Sequence, residues 1–192
     1  DAKSLIIRNS TETEAGIKFQ DKDVIDSQNF EILYNCGTED LRFKSDNVDN
    51  ILYLHQSGEV ICQHNPSFAA KATADESVGA AWETLDFDYE YYDLNSNYDG
   101  VNKFTAPVAG RYLFLCTIRW EPGGSTHYVW MRLMKNGSVA RYGEILDCNE
   151  VGTSDGGLDT VSTQMNEILD LSSNDYVQVQ VYSANQASDT AG

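Results

Sequence analysis

Asp86, Asp88 and Glu90 alternate with Leu85, Phe87 and Tyr89, a spacing that puts all three acids on one face of an extended strand. Same-face neighbours there lie about 7 Å apart, within the range over which two carboxylates cleave a glycosidic bond. No further catalytic pattern accompanies them, so the segment reads as a solvated acidic strand face. Next along the chain, Asp93, Asn95, Asn97 and Asp99 offer oxygens at alternate positions ahead of Gly100, the donor order of a calcium loop. If Asn95 opens that loop, its first ligand is an amide, and Ala106 stands at the twelfth position, where a bidentate glutamate is required. The segment is therefore not an EF-hand. Asx turns closing on glycine account for it, and calcium is kept as the minor alternative to no cofactor at all. A third group is suited to contact rather than reaction. Trp120 ends an aromatic run, Pro122-Gly123-Gly124 makes a loop, and His127 and Tyr128 open the next strand. Aromatic rings beside polar groups stack on the apolar faces of sugars, so Trp120, His127 and Tyr128 are candidate receptor contacts. The glycine-rich acidic loop from Asp147 to Gly157 adds Asp155. The plain alternative is that Trp120 and Tyr128 cover a sheet edge or a subunit interface.

Nothing else in the chain suggests an enzyme. It has no G-x-S-x-G elbow, no H-E-x-x-H, no phosphate-binding glycine loop and no dinucleotide fingerprint. His55, His64 and His127 stand alone, without a serine or cysteine in a recognisable order. Cys36, Cys62, Cys116 and Cys148 would permit two disulfides, yet no C-x-x-C pair occurs. The first three sit in strand-like apolar surroundings and only Cys148 in a loop-like acidic stretch, so reduced thiols and cytoplasmic assembly are expected.

The elements that carry these groups are strands. From Phe104 to Phe114 the sequence reads F-T-A-P-V-A-G-R-Y-L-F: a turn fixed by Pro107 and Gly110 feeds a strand with Tyr112, Phe114, Cys116, Ile118 and Trp120 on one face. The pattern F-x-A-P-x-x-G-x-Y-x-F resembles the signature of the complement component 1q globular head, a jelly roll related to the tumour necrosis factor fold. Pro66-Ser67-Phe68-Ala69-Ala70 resembles the opening strand of that family, and Tyr92-Asp93 with Asn97 to Gly100 the segment leading to Phe104. Leu133 to Gly137 resembles its central hairpin, and Leu169, Asp175, Tyr176, Val177, Val179 and Val181 its last turn and valine-rich strand. The resemblance implies an all-β, ten-stranded type of jelly-roll sandwich that assembles as a homotrimer, with Phe104, Tyr112, Phe114, Tyr176 and Val177 in core or trimer packing. Members of that family finish on an aromatic, glycine-containing strand that closes the inner sheet. Ala184 to Gly192 reads as a loop instead, so that strand is expected to be missing and the chain to be a fragment.

Residues 1–65 follow a different plan. Short apolar pairs recur at Leu5/Ile7, Ile17/Phe19, Ile32/Tyr34, Leu41/Phe43, Ile51/Tyr53 and Val60/Cys62, separated by turn residues, which reads as a β-meander. The run from Asp40 through Ser57-Gly58-Glu59-Val60 resembles repeats of bacteriophage tail fibres. Two large apolar residues per strand cannot wrap a private core, so a shaft of three copies sharing their apolar stripes is expected, the alternative being a small monomeric sheet packed on the base of the head. The polar stretch Gln63-His64-Asn65-Pro66 marks the boundary with the head at 66–192.

A net charge of −17 over 192 residues disfavours phosphate backbones and anionic lipid, and no apolar run is long enough to span a bilayer. Nucleic acid and membrane insertion are therefore not expected as partners. These readings combine into a viral structural protein: a homotrimeric bacteriophage fibre or spike, assembled in the host cytoplasm and carried on the virion. Its amino-terminal side meets other virion proteins, and its head binds a host-surface glycan or protein, gaining strength from avidity. Two other readings stay open, a head that only nucleates trimerisation of a fibre or capsid decoration, and a secreted cellular recognition module.

Overall fold

The run from Tyr112 to Trp120 becomes part of one strand, and its faces separate as alternation demands: Ile118 and Trp120 are fully buried, whereas Leu113 and Leu115 are 62% and 69% exposed. The computed structural model describes residues 14–19, 30–45, 48–121, 128–148, 160–184 and 189–191. Among them there is no helix. The chain divides into two compact units, Asp1–Asn65 and Pro66–Gly192.

In the first unit, β1 (Glu14–Phe19), β2 (Phe30–Asn35), β3 (Asp40–Ser45), β4 (Val48–His55) and β5 (Val60–Ile61) form an antiparallel meander in sequence order. The pair Leu5/Ile7 lies outside the described residues. One polar knot stiffens the sheet. Arg42 Nε donates to buried Asp40 at 2.7 Å, and this bond holds the Asp40 carboxyl below its ordinary value. No apolar side chain described in this unit is fully buried, and Phe19 and Val60 are 53% and 65% exposed. Among the described residues the meander is one sheet, with no second layer laid over it.

The second unit contains β6 (Ser67–Lys71), β7 (Glu76–Val78), β8 (Glu83–Thr84), β9 (Tyr89–Leu94), β10 (Phe104–Thr105), β11 (Gly110–Glu121), β12 (Tyr128–Lys135), β13 (Ser138–Asp147), β14 (Val161–Leu171), β15 (Tyr176–Ala184) and β16 (Asp189–Ala191). One sheet runs β10-β15-β12-β13, with β8 also on β15; a second runs β14-β11-β16-β7; β6 and β9 pair as a ribbon. The core lies between the two larger sheets, with Ile118, Trp120, Met165 and Leu169 from one against Val129, Met131, Leu133 and Val181 from the other. Phe104 and Val177 face each other across β10 and β15, and both are buried. Phe104 then gathers Phe68, Tyr112 and Phe114 at ring separations of 5.2 to 5.6 Å. The result is an all-β sandwich of jelly-roll type.

The expectation that the carboxyl-terminal stretch is only a loop is corrected. Asp189–Ala191 forms β16, inserted between Trp120–Glu121 of β11 and Glu76–Val78 of β7. Asp, Thr and Ala show no apolar pattern in the sequence, so alternation gave no sign of this strand. Before Trp120, β11 pairs with β14 on one side, and among the described residues no strand pairs with its other edge.

Two turns at one end of the sandwich are tied by a single carboxylate. The β12–β13 turn is Asn136-Gly137, with φ of 50° and 75°, the conformation that matches strand twist. Asp175, in the β14–β15 turn, accepts from Lys135 Nζ at 2.8 Å, Asn136 Nδ2 at 2.6 Å and the Ser172 amide at 2.7 Å. The Lys135 ammonium and then the Asn136 amide pull its pKa from the ordinary 3.8 down to about 2. A depressed carboxylate contributes stability above its unfolded value, and this is lost as pH falls through the folded one. The stability gap between the native chain and Asp175→Asn is therefore expected to shrink from pH 5 to pH 2, with most of the loss below about pH 4. Urea midpoints measured across that range check it, and parallel curves would refute the assignment.

Candidate functional site

Of the sequence-predicted contacts, Trp120 and Tyr128 lie among the described residues. Trp120 is fully buried, and its indole N–H donates to Thr163 Oγ1 at 2.8 Å in the core. A ring with no exposed surface cannot stack on a ligand, so Trp120 is corrected from receptor contact to core residue. Tyr128, at the start of β12, is 43% exposed, while His127 and Asp155 lie outside the described residues. Tyr176 is half-buried, with the Lys103 ammonium 5.3 Å over its ring. Tyr112 and Phe114 pack against the core from its margin.

The calcium pattern is taken up by turn chemistry. Asp99 Oδ1 accepts the amides of Val101, Asn102 and Lys103 at 2.9 to 3.0 Å. Burial pushes its carboxyl up, but these backbone bonds outweigh that and leave it below the ordinary value. Asp93 Oδ2 accepts the Tyr98 amide at 2.8 Å, and Asn97 Nδ2 donates to the Leu94 carbonyl at 3.1 Å. Asn95 and Gly100 take the left-handed conformation, with φ of 75° and 76°. Among the described residues no three His, Cys, Asp or Glu side chains are grouped to hold an ion. The acidic run also differs from expectation, since only Glu90 lies in a strand. Asp86 accepts from Asn102 Nδ2 at 2.6 Å, and Asp88 accepts both the amide and the hydroxyl of Thr73. These carboxylates tie loops together.

The cysteines are free and also divide differently from the expectation. Cys36 and Cys62 are exposed, and Cys148 is buried in the core. Burial pushes the Cys116 thiol up to about 12.

Two surfaces do stand out. The first is the outward face of β11 and β14, where register sets Leu113 opposite Ile168 and Leu115 opposite Asn166. Leu113, Leu115 and Ile168 are 62%, 69% and 58% exposed, an apolar stripe bordered by the Arg111–Asp170 ion pair. A cavity of about 420 Å³ opens beside it, between Phe68 and Tyr92 on one side and Leu113 and Leu115 on the other.

The second surface was not read from the sequence. On the outer face of the β12–β15 sheet, register pairs Trp130 with Tyr182 and Arg132 with Gln180. Trp82, just ahead of β8, lies 5.6 Å from the Trp130 ring and 5.4 Å from that of Tyr182. The Arg132 guanidinium carbon sits 3.9 Å over Trp82, and its Nε and Nη2 donate to Gln180 Oε1 at 2.9 and 2.6 Å. Tyr142 joins from β13, 5.6 Å from Trp130. Its arrival depends on a bulge: Trp130 faces Ile145 and Arg132 faces Tyr142, so two steps on β12 oppose three on β13. The extra step brings Tyr142 and Ile145 onto one face, which strict alternation forbids. Gly143 occupies the bulge, where an added Cβ would stand 2.9 Å from Met131 Cγ and 2.7 Å from Met165 Cε.

Comparison with known proteins follows the second unit. Residues 67–192 match the C1q domain family. The solved globular domain of zebrafish complement 1qA protein is similar at 15% identity and a TM-score of 0.50, with 66% of this chain and 92% of that one covered. That likeness concerns fold alone. No curated protein matches the chain.

Proposed function

Because the chain belongs to the C1q domain family, whose members are non-enzymatic recognition and trimerisation modules, we propose that it is a homotrimeric recognition head on a β-meander stem. The observation that carries this reading is the exposed stripe of Leu113, Leu115 and Ile168. A chain of net charge −17 has polar residues to spare, so three large aliphatic side chains grouped on one strand pair call for a covering surface. A threefold axis supplies that surface from the same residues of neighbouring copies. The meander supports the same assembly, since other copies of a stem would cover Phe19 and Val60, exposed in the single chain.

The setting we assign is a bacteriophage appendage whose head attaches to a host-surface glycan or protein. Support comes from the tail-fibre-like repeats of residues 40–60 and from four free thiols, which suit cytoplasmic assembly. Sedimentation of the full chain at micromolar concentration should give three times its 21.4 kDa mass. The same fluorescently labelled trimer should adsorb to host cells. A stable monomer would sink the architecture. A trimer that adsorbs to nothing would leave a purely structural head, and collagen-like repeats encoded upstream would move it to a secreted cellular module.

A further inference from the structure

We infer that the cluster of Trp82, Trp130, Arg132, Tyr142, Gln180 and Tyr182 is a binding site for a pyranose that carries a carboxylate, a hexuronic acid in a glycan. The inference rests on the reading of the chain as a recognition module and gives that module a place and a ligand chemistry.

Three features of the cluster argue for a ligand. Its rings are large and lie on the outward face of a sheet, with Trp82, Trp130 and Tyr182 half-buried against one another. Tyr142 is 55% exposed, and Ile145, on the same face, is 50% exposed. Rings about 5 to 6 Å apart offer apolar patches comparable in size to a pyranose ring, and tyrosine hydroxyls at their margins match sugar hydroxyls. Second, the cation is unusual in this chain. Arg42, Arg111, Arg119 and Arg141 all pair with acids, but among the described residues no carboxylate pairs with Arg132. In a chain with 30 acidic residues against 13 basic ones, an arginine held against a ring with neutral Gln180 as its hydrogen-bond partner is a place kept for an outside anion. Third, its orientation is fixed in advance. Gln180 takes two guanidinium N–H groups and is itself anchored, donating to Thr84 Oγ1 at 3.3 Å. Less rotamer entropy is then lost when the remaining N–H groups meet a carboxylate.

The surrounding charge narrows the ligand. A field of −17 repels acidic peptides, polyphosphates and anionic lipid headgroups, all of which bring several negative charges together. One carboxylate set among neutral hydroxyls meets that field least, and its ring uses the aromatic surface that a small anion would leave empty.

The test titrates the full-length chain with methyl β-D-glucuronide, methyl β-D-glucoside and benzoate, following tryptophan fluorescence and ligand saturation-transfer NMR. Trp120 is buried, so Trp82 and Trp130 carry the fluorescence response. The glucuronide is expected to bind with a dissociation constant on the order of 1 mM per site, about tenfold tighter than the glucoside. Arg132→Gln should bring the glucuronide down to the glucoside's affinity while leaving the glucoside unchanged, an outcome that mere loss of packing would not give. Trp82→Ala should weaken both sugars by tenfold or more. If Trp82→Ala misfolds by circular dichroism, the Arg132→Gln comparison alone decides the matter. Equal binding of the two glycosides, no saturation by either, or benzoate as tight as the glucuronide would each overturn the inference. A trimer that adsorbs to cells yet fails to distinguish the glycosides overturns this site and leaves the recognition reading standing. A monomer that does distinguish them supports the site and removes the trimeric architecture.

Discussion

Trp120→Ala is expected to be the most damaging single substitution in the second unit, lowering its unfolding free energy by ~3–5 kcal/mol. The side chain is fully buried between the two sheets, so the surrounding strands cannot collapse into the vacated space. The change also strips Thr163 Oγ1, in a residue only 6% exposed, of its indole donor. Urea unfolding followed by circular dichroism should show a midpoint fall of about 2 M. Trp120→Phe separates the two contributions: it restores most of the volume, lacks the N–H, and should cost ~1–3 kcal/mol. A loss under about 1 kcal/mol for Trp120→Ala would mean that the ring is not the keystone described.

Leu115→Asp is expected to act oppositely, leaving the fold intact and destroying the assembly. Leu115 is 69% exposed in the single chain, so aspartate there should change monomer stability by no more than about 0.5 kcal/mol. At a threefold axis the same substitution brings three carboxylates together in a surface stripped of water. Like charges so placed cost several kcal/mol, enough to weaken association by ~10³ or more. Sedimentation at micromolar concentration should then show mass falling from three chains to one, while circular dichroism shows the strands of the second unit retained. Val139→Asp, at a 39% exposed apolar position on β13 of the other sheet, should leave the trimer whole. If Leu115→Asp remains trimeric, the stripe on β11 and β14 is not the interface.

Legibility in the sequence followed the range of the interaction. Alternation along β11 was readable because period two is a local property; the Asn136-Gly137 turn was reached through the family resemblance, though its residues dictate its conformation. The same alternation placed Trp120 on the inward face with Ile118, but its position beside a proline-glycine loop argued for exposure; packing decided for the core. Cys148 shows the converse, since an acidic neighbourhood in sequence gave no sign that its own side chain folds under the sheet. The aromatic cluster was beyond reach. Trp82, Trp130, Tyr142 and Tyr182 come from four separate segments, and the parity of Tyr142 is set by a bulge that no period reveals. The glycine at 143 was the only available hint, and a glycine within a strand pattern has several ordinary meanings.

The pairing of Asp189–Ala191 with Glu76–Val78 has a consequence for biogenesis. The partners lie more than a hundred positions apart in the polypeptide, so the sheet that contains β11 cannot be completed until residue 191 has left the ribosome. Until then the ends of β11 and β7 that pair with it keep unpaired backbone edges, the condition in which nascent chains pair with one another. A translation pause late in the message would lengthen that interval and lower the yield of native protein, and a chaperone held at the exit tunnel until release would raise it.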